Sequence, residues 1–293
     1  MTWGLFKKVV IADRLALIVN QIYNNPQAFP GLPLIAGTVF FAFQIYCDFS
    51  GYSDIAIGSA QVMGFRLMDN FNRPYFSKSI SEFWKRWHIS LSSWFRDYLY
   101  IPMGGSRVSK WQWQYNVFIT FLVSGLWHGA NWTYVIWGAL NGFYLIFSIW
   151  TGEKRKKIAD YFGLNRSHLL HKIARVFITF LLVCFAWIFF RANSLTDALY
   201  IIGHLFYGAR HIFDLSWWKL MMPKNGLNEY DYLLSVLSII FLLCVHLLQR
   251  HGSMRHMLAE RSAKTRWLVY LALLLGILFF GVFNRSQFIY FQF

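Results

Sequence analysis

Ser124-Gly125-Leu126-Trp127-His128-Gly129-Ala130-Asn131-Trp132 lies inside an otherwise apolar run from Asn116 to Trp150. An imidazole and an amide placed in hydrocarbon cost several kcal/mol unless partners or a water-filled cavity receive them. His128 is therefore a candidate functional residue. Gly125 and Gly129 carry no Cβ, so backbone, ligand or a neighbouring helix can come close there, and the helix can break. Two readings stay open: a site, or a helix-packing motif of small residues with His128 as a hydrogen-bonding strut. Asn116 to Trp150 is longer than one membrane span needs. That length predicts one helix broken around Gly129-Ala130-Asn131, or a re-entrant half-helix ahead of a full one.

Outward from this stretch the composition sets the class. Hydrophobic residues make up 57% of the 293 and charged residues 14%, against about 25% charged in a soluble domain. The chain reads as an all-α, polytopic integral membrane protein. More than half of its 14 Trp fall between Trp84 and Trp137, which implies interfacial belts and a lined cavity. The formal charge of +15 does not point to nucleic acid, because the basic residues sit between apolar segments, where inward-facing loops collect Lys and Arg. Cys47, Cys184 and Cys244 all fall in apolar runs without metal-ligand spacing and read as buried small hydrophobes.

At the start of the chain, Trp3 to Tyr23 is apolar but carries Lys7, Lys8, Asp13 and Arg14. That charge density predicts a helix in the lipid plane or at the cytoplasmic edge rather than a span. Leu34 to about Phe65 exceeds a bilayer core. It predicts a tilted or broken helix, or a span plus a second element, with any break near Gly51. Asp48 and Asp54, six apart, do not share a helix face; they read as partners in a polar seam at least as readily as catalysts.

Ser79 to Leu99 reads as one interfacial helix. Ser79 and Glu82 have capping-box spacing, and Phe83, Trp87, Leu91, Trp94 and Tyr98 form an apolar stripe. Glu82, Lys85, Arg86, Ser93 and Arg96 lie largely off that stripe, toward water and headgroups. His88 adjoins it, and on its own reads as a hydrogen-bonded core residue or a catalyst.

Further on, Thr151 to Arg175 holds seven Lys/Arg against Glu153 and Asp160, as a cytoplasmic loop should. His168 and His171 in it have too few companion ligands for a metal site. Spans are expected at Ile173 to Phe190, Tyr232 to Leu248 and Trp267 to Phe283, with a short surface helix within Asn193 to Phe206. The alternation of loop charge places the tail Phe288-Ile289-Tyr290-Phe291-Gln292-Phe293 outside. It reads as an interfacial anchor, or as a segment folded back into the outer mouth of a cavity leading to His128, where Tyr290 would bring a hydroxyl among apolar residues.

Several motifs together resemble the membrane-bound O-acyltransferase family. They are LFKKVVIADRLA at Leu5 to Ala16, FQIYCDFSGYSDIAIG at Phe43 to Gly58, SEFWKRWHISLSSWFRDYLYIPMGG at Ser81 to Gly105, SGLWHGANWTYVIWG at Ser124 to Gly138, and the ending FIYFQF. The IPMGGSR continuation resembles the alginate O-acetylase branch more than the teichoic acid D-alanyl transferases. The resemblance implies one membrane-embedded helical bundle over residues 1–293, with interfacial and re-entrant helices. Family members are longer at the amino end, so the chain is expected to be the carboxyl-terminal part of such an enzyme. His128 matches the family's catalytic histidine, and His88 its second motif position, where other branches carry asparagine.

What the resemblance implies chemically agrees with the residues. Acyl transfer from a thioester to a hydroxyl needs a base for the hydroxyl proton and donors for the developing oxyanion. A neutral imidazole in an apolar site is such a base. The Trp127 ring N–H and Asn131 are candidate donors, and Lys85, Arg86 and Arg96 suit the phosphates of a coenzyme A thioester. No bound cofactor or metal is expected. The donor is expected to be acetyl-CoA or a similar thioester. The acceptor is expected to be hydroxyls of an exported polysaccharide such as alginate, reached directly or through a periplasmic acetyltransferase partner, with the chain crossing a bacterial inner membrane several times. Cellulose, peptidoglycan and teichoic acid are alternative acceptors. A transporter would call for paired inverted halves, and none is evident; an inactive fragment or membrane scaffold would show no transfer.

Overall fold

A computed structural model describes the chain apart from residues 162, 164–168, 210–213, 215–221, 223–225, 253, 284–287 and 289–293. The described residues are helical and contain no strand. In order they form α1 (Thr2–Phe6), α2 (Asp13–Asn24), α3 (Leu32–Val62), α4 (Ile80–Trp84), α5 (Ile89–Phe95), α6 (Lys110–Trp127), α7 (Trp132–Trp150), α8 (Gly152–Tyr161), α9 (Leu169–Arg191), α10 (Leu195–His204), α11 (Glu229–Leu248), α12 (Met254–Ala259) and α13 (Ala263–Phe280). Among them α3, α7, α9, α11 and α13 are long and apolar enough to cross a membrane. Length and composition together make this an integral membrane protein. Two compact units are formed, one by residues 1–68 and 203–293, the other by 69–202.

In the first unit, α1 passes into α2 through a π-helical turn, Lys7–Ala12. There the Asp13 N–H bonds back to the Lys8 carbonyl, which leaves the Val9 carbonyl to accept from the Val282 N–H at 2.8 Å, beyond the end of α13. Just before the turn, α1 crosses α3 at two glycines: a Cβ on Gly51 would lie 2.8 Å from the Gly4 carbonyl oxygen. With the backbones this close, the two successive lysines each grip a different part of α3. Lys7 donates to Ser50 Oγ at 2.8 Å and pairs with Asp54 at 2.9 Å. Lys8 is held between Asp48 and Asp13, at 2.5 and 2.9 Å.

The charges at the start of the chain therefore do not face water, as an edge helix would require. Lys7, Lys8, Asp13 and Arg14 are between 3% and 8% exposed. Pattern alone cannot distinguish a charge turned to solvent from one that meets its counterion forty residues away. Asp48 and Asp54 are seam partners, of lysines. Nor does α3 break at Gly51; it is continuous from Leu32 to Val62, because that glycine serves the crossing rather than a kink. Arg14 pairs with Asp231 of α11 at 2.7 Å and donates to the Phe280 carbonyl at 2.9 Å, tying both late helices to α2.

The second unit centres on the antiparallel α6–α7 hairpin. Its break falls at residues 128–131, where the sequence predicted one. A Cβ on Gly125 would run into the Tyr134 carbonyl, and one on Gly138 into that of Phe121. Asn116, fully buried, donates to the Met103 and Gly105 carbonyls at 2.9 and 3.2 Å and so fixes the preceding loop on α6.

Replacing Lys8 with Met is expected to destabilise the protein by about 3–5 kcal/mol, since it leaves Asp48 and Asp13 buried without their cation. Adding Asp48→Asn should recover part of that loss. Thermal unfolding in detergent checks both, and equal destabilisation by the single and double variants would show that the pair carries no such weight.

Candidate active site

His128 is 6% exposed and follows the last residue of α6, where its N–H closes a turn on the Gly125 carbonyl at 3.1 Å. Gly129 comes next at φ +152°, and a Cβ there would lie 2.9 Å from the Tyr134 ring. Only glycine turns the chain at that point without strain. The small residues thus do two things: Gly125 and Gly138 bring α6 and α7 into backbone contact, and Gly129 lets the turn present the imidazole inward.

Aromatic rings surround the imidazole. Trp127, Trp137 and Phe190 meet it edge to face with centroids 5.0, 5.2 and 5.0 Å away. Trp137 stacks on Trp187 at 5.9 Å, Trp187 leans on Trp87 at 5.1 Å, and Trp87 stacks on Phe83 at 5.5 Å. Part of the aromatic excess read from composition is therefore an internal cluster that joins α4, α7 and α9 around one histidine. Edge-to-face pairs contribute about 0.5–1.5 kcal/mol each beyond their buried area.

His88 comes from a turn that replaces the middle of the predicted interfacial helix. Ser79–Leu99 is not one helix: α4 ends at Trp84, residues 85–88 turn, α5 starts at Ile89, and a π turn follows at Arg96–Tyr100. The apolar stripe divides accordingly. Phe83 and Trp87 are buried, whereas Trp94 and Tyr98 are 51% and 69% exposed. Ser79 does cap α4, accepting from the Glu82 N–H at 3.1 Å. Glu82 returns a bond to the Lys78 N–H at 2.7 Å rather than to that of Ser79. His88 itself is left-handed, φ 44°, and 8% exposed. Its Nδ1 lies 3.3 Å from Asn70 Oδ1.

Both histidines sit in turns between helices, and both are pushed below the usual imidazole value of 6.5. Burial takes His128 to about 4. Burial, then the charge of His128, take His88 to about 3. Residues forty apart are thus brought within electrostatic reach, both neutral at ordinary pH.

The other candidates are placed differently. Trp127 is 52% exposed while its ring contacts His128. Asn131 is exposed and caps α7, its side-chain oxygen accepting from the Thr133 N–H at 3.0 Å. Arg86 is bound by Glu82 at 2.6 Å and Arg96 by its neighbour Asp97 at 2.7 Å; Lys85 is exposed. Tyr290 and His168 lie outside the described residues. Two residues at the site carried no sequence signal: Asn70, in a stretch without periodicity, and Phe190, one more Phe at the end of a span. No group of three metal-ligating side chains occurs among the described residues.

A buried neutral imidazole among aromatic rings, at the turn of a glycine-packed hairpin in a membrane protein, has a lone pair that can accept a proton. Residues 4–190 match the membrane-bound O-acyltransferase family, and the chain belongs to it. It is 47% identical over 195 residues to a probable alginate O-acetylase of Pseudomonas aeruginosa, covering 67% of this chain and 35% of that protein. It is 33% identical to a peptidoglycan O-acetyltransferase of Helicobacter pylori, covering 99% of this chain and 55% of the relative. It is 34% identical to a teichoic acid D-alanyltransferase of Bacillus subtilis over 51% of this chain and 39% of the relative. The chain spans between about a third and a little over half of the length of these curated relatives.

The lowered histidine values have a consequence for stability. Unfolded, each ring takes up a proton below about pH 6.5; folded, His128 does so only near 4 and His88 near 3. The stabilisation is complete above 6.5 and is lost as pH falls from there toward those values. Unfolding temperature in detergent should therefore be level above about pH 7 and decline below it. His128→Gln should flatten the decline, and an unchanged slope would exclude a buried neutral imidazole at this position.

Proposed function

We propose that the chain carries the acyl-transfer centre of a membrane O-acyltransferase that moves an acetyl group from a thioester donor to a hydroxyl of a cell-envelope polysaccharide. His128 is the general base. Its Nε2 or Nδ1 lone pair takes the hydroxyl proton as the oxygen attacks the thioester carbonyl; the C–S bond then breaks, and the thiolate leaves and takes up a proton. The observation that carries this reading is the burial of His128 among Trp127, Trp137 and Phe190, which keeps the ring neutral and excludes water that would otherwise hydrolyse the donor. Acetyl-CoA or a similar cytoplasmic thioester is the donor. Lys85 and, on exchanging their carboxylate partners, Arg86 and Arg96 receive its phosphates. His88 assists on the donor side. The Trp127 indole N–H and the Asn131 amide are the oxyanion donors to test first, and Tyr290 is a phenol able to hold the acyl group as a transient ester.

The identities to alginate O-acetylases support alginate or a similar exported polymer as acceptor, with the protein in a bacterial inner membrane and acting directly or through a periplasmic acetyltransferase. Peptidoglycan is the second reading, supported by the alignment of the Helicobacter pylori enzyme over 99% of this chain.

The test uses acetyl-labelled coenzyme A and membranes containing the chain, alone and joined to the upstream sequence of a longer relative. Label should appear on polysaccharide hydroxyls, and His128→Gln should reduce it by about 10²–10⁴ at unchanged yield. Transfer by a folded His128→Gln protein at the parent rate would remove the base role. Label on peptidoglycan but not on alginate would select the second acceptor, and label on the Tyr290 peptide would identify the ester.

A further inference from the structure

Asn70 stands at the end of an extended stretch that follows α3, eighteen residues before His88. We propose that Asn70 is a positioning residue that holds the proton of His88 on Nδ1 and so makes Nε2 the accepting nitrogen of that ring. The proposal deepens the proposed function and rests on its placing of His88 at the acyl-transfer site.

The assignment follows from which groups can only donate. The Ser90 backbone N–H approaches the Asn70 side chain at 3.1 Å. An N–H needs an acceptor, so the amide atom facing it is the oxygen, Oδ1, and not the nitrogen. The same oxygen takes the Ser90 hydroxyl at 3.0 Å and lies 3.3 Å from His88 Nδ1. A carbonyl oxygen has no proton to offer, so in this contact the proton belongs to Nδ1. Ser90 Oγ is also 3.4 Å from Nδ1, farther than the 3.0 Å to Asn70 Oδ1, so its single proton is better placed on the Asn70 oxygen, which leaves Ser90 Oγ an acceptor toward Nδ1. A neutral imidazole carries one proton; with Nδ1 protonated, Nε2 holds the lone pair.

The backbone keeps the geometry in place. The Ile89 N–H donates to the Asn70 carbonyl at 3.0 Å, and the Asn72 N–H donates to the Arg86 carbonyl at 2.9 Å. Residues 70–72 are thereby strapped to the turn on both sides of His88. A left-handed histidine costs on the order of 1–3 kcal/mol and persists only where its surroundings over-determine it; these bonds are the surroundings. The ring stays neutral because it is 8% exposed and because the charge of His128 opposes a second proton beside it. Of the charged groups on this turn, Arg86 is paired with Glu82 of α4 at 2.6 Å and Lys85 is exposed.

The test has a readout independent of activity. In the full chain labelled with 15N-histidine, His88, assigned by its loss in His88→Asn, should show a protonated Nδ1 and an unprotonated Nε2 at neutral pH. The opposite tautomer overturns the proposal. Asn70→Leu removes the acceptor and should let both tautomers appear, with acyl transfer falling by about 10- to 100-fold in kcat and little change in donor KM. Asn70→Asp keeps the acceptor and adds a charge beside Nδ1–H. It should restore the single tautomer and raise the acid limb of the pH–rate profile by about one unit or more. A purely structural Asn70 would give the Leu variant lower yield without a tautomer mixture, and that result overturns the proposal, as does an equal acid-limb shift from Asn70→Asp in the His88→Asn background. If the tautomer is as stated and His88→Asn transfers acyl groups normally, the positioning by Asn70 stands and only the catalytic reading of His88 falls.

Discussion

Lys8 held between Asp13 and Asp48 shows the constraint on which the rest of this protein depends: in a chain this apolar, an ionisable group that leaves water has to find its counterpart within the protein. An unpaired buried ion costs several kcal/mol, and a paired one roughly breaks even with an apolar pair of the same shape. The gain is therefore in register rather than in stability. Two successive lysines reaching different carboxylates on α3 fix how the first helix lies against it, and the π turn supplies the offset that this grip needs. Once Lys7 and Lys8 are committed, the freed Val9 carbonyl and the Arg14 guanidinium are aimed at the end of α13 and the start of α11. One crossing thus ties α1, α2, α3, α11 and α13 together.

In the second unit the buried titratable group at the hairpin turn is an imidazole. His128 is kept in the apolar interior by rings and by its turn, and the glycines at 125, 129 and 138 make that turn possible. Their roles are distinct. A larger residue at 125 or 138 would push α6 and α7 apart, whereas one at 129 would strain the turn that follows the histidine. The two readings of this stretch made from sequence, a site and a helix-packing motif, are therefore not exclusive in this structure: the packing of the glycines is what positions the imidazole.

How far the sequence carried this result depends on the range of each interaction. Membrane class, the spans after α7 and the break at residues 128–131 were legible because each rests on local chemistry, a run of apolar residues or a cluster of glycines. Lys7 to Arg14 lies in none of the candidate spans among the described residues, as its charge density indicated; the burial of those charges was not legible, because the counterions at Asp48, Asp54 and Asp231 are remote in sequence. The single helix expected over Ser79–Leu99 failed for the same reason. Its stripe of Phe83, Trp87, Leu91, Trp94 and Tyr98 is helical in spacing, yet two backbone bonds from residues 70–72 hold a left-handed turn at His88 against that propensity. At the site, histidine is conspicuous in apolar sequence, whereas Asn70 sits among polar neighbours where an asparagine carries no signal. Trp127 and Asn131 were read as donors from their proximity to His128; the structure adds that the Asn131 oxygen is already committed to capping α7.

The two histidines differ in what surrounds them, and the difference bears on how they would share a reaction. His88 is bonded through Nδ1 to a network with defined donors, so its orientation is set and its ring cannot turn without breaking backbone-linked contacts. His128 is met by the aromatic rings of Trp127, Trp137 and Phe190. His88 feels the charge of His128, so a proton on His128 disfavours one on His88. On the proposed function, a proton gained by His128 from the attacking hydroxyl makes protonation of His88 still less favourable. The proton is then retained at His128 until the thiolate leaves, and the charge that builds up at the reacting centre is confined to one ring in a site from which water is excluded.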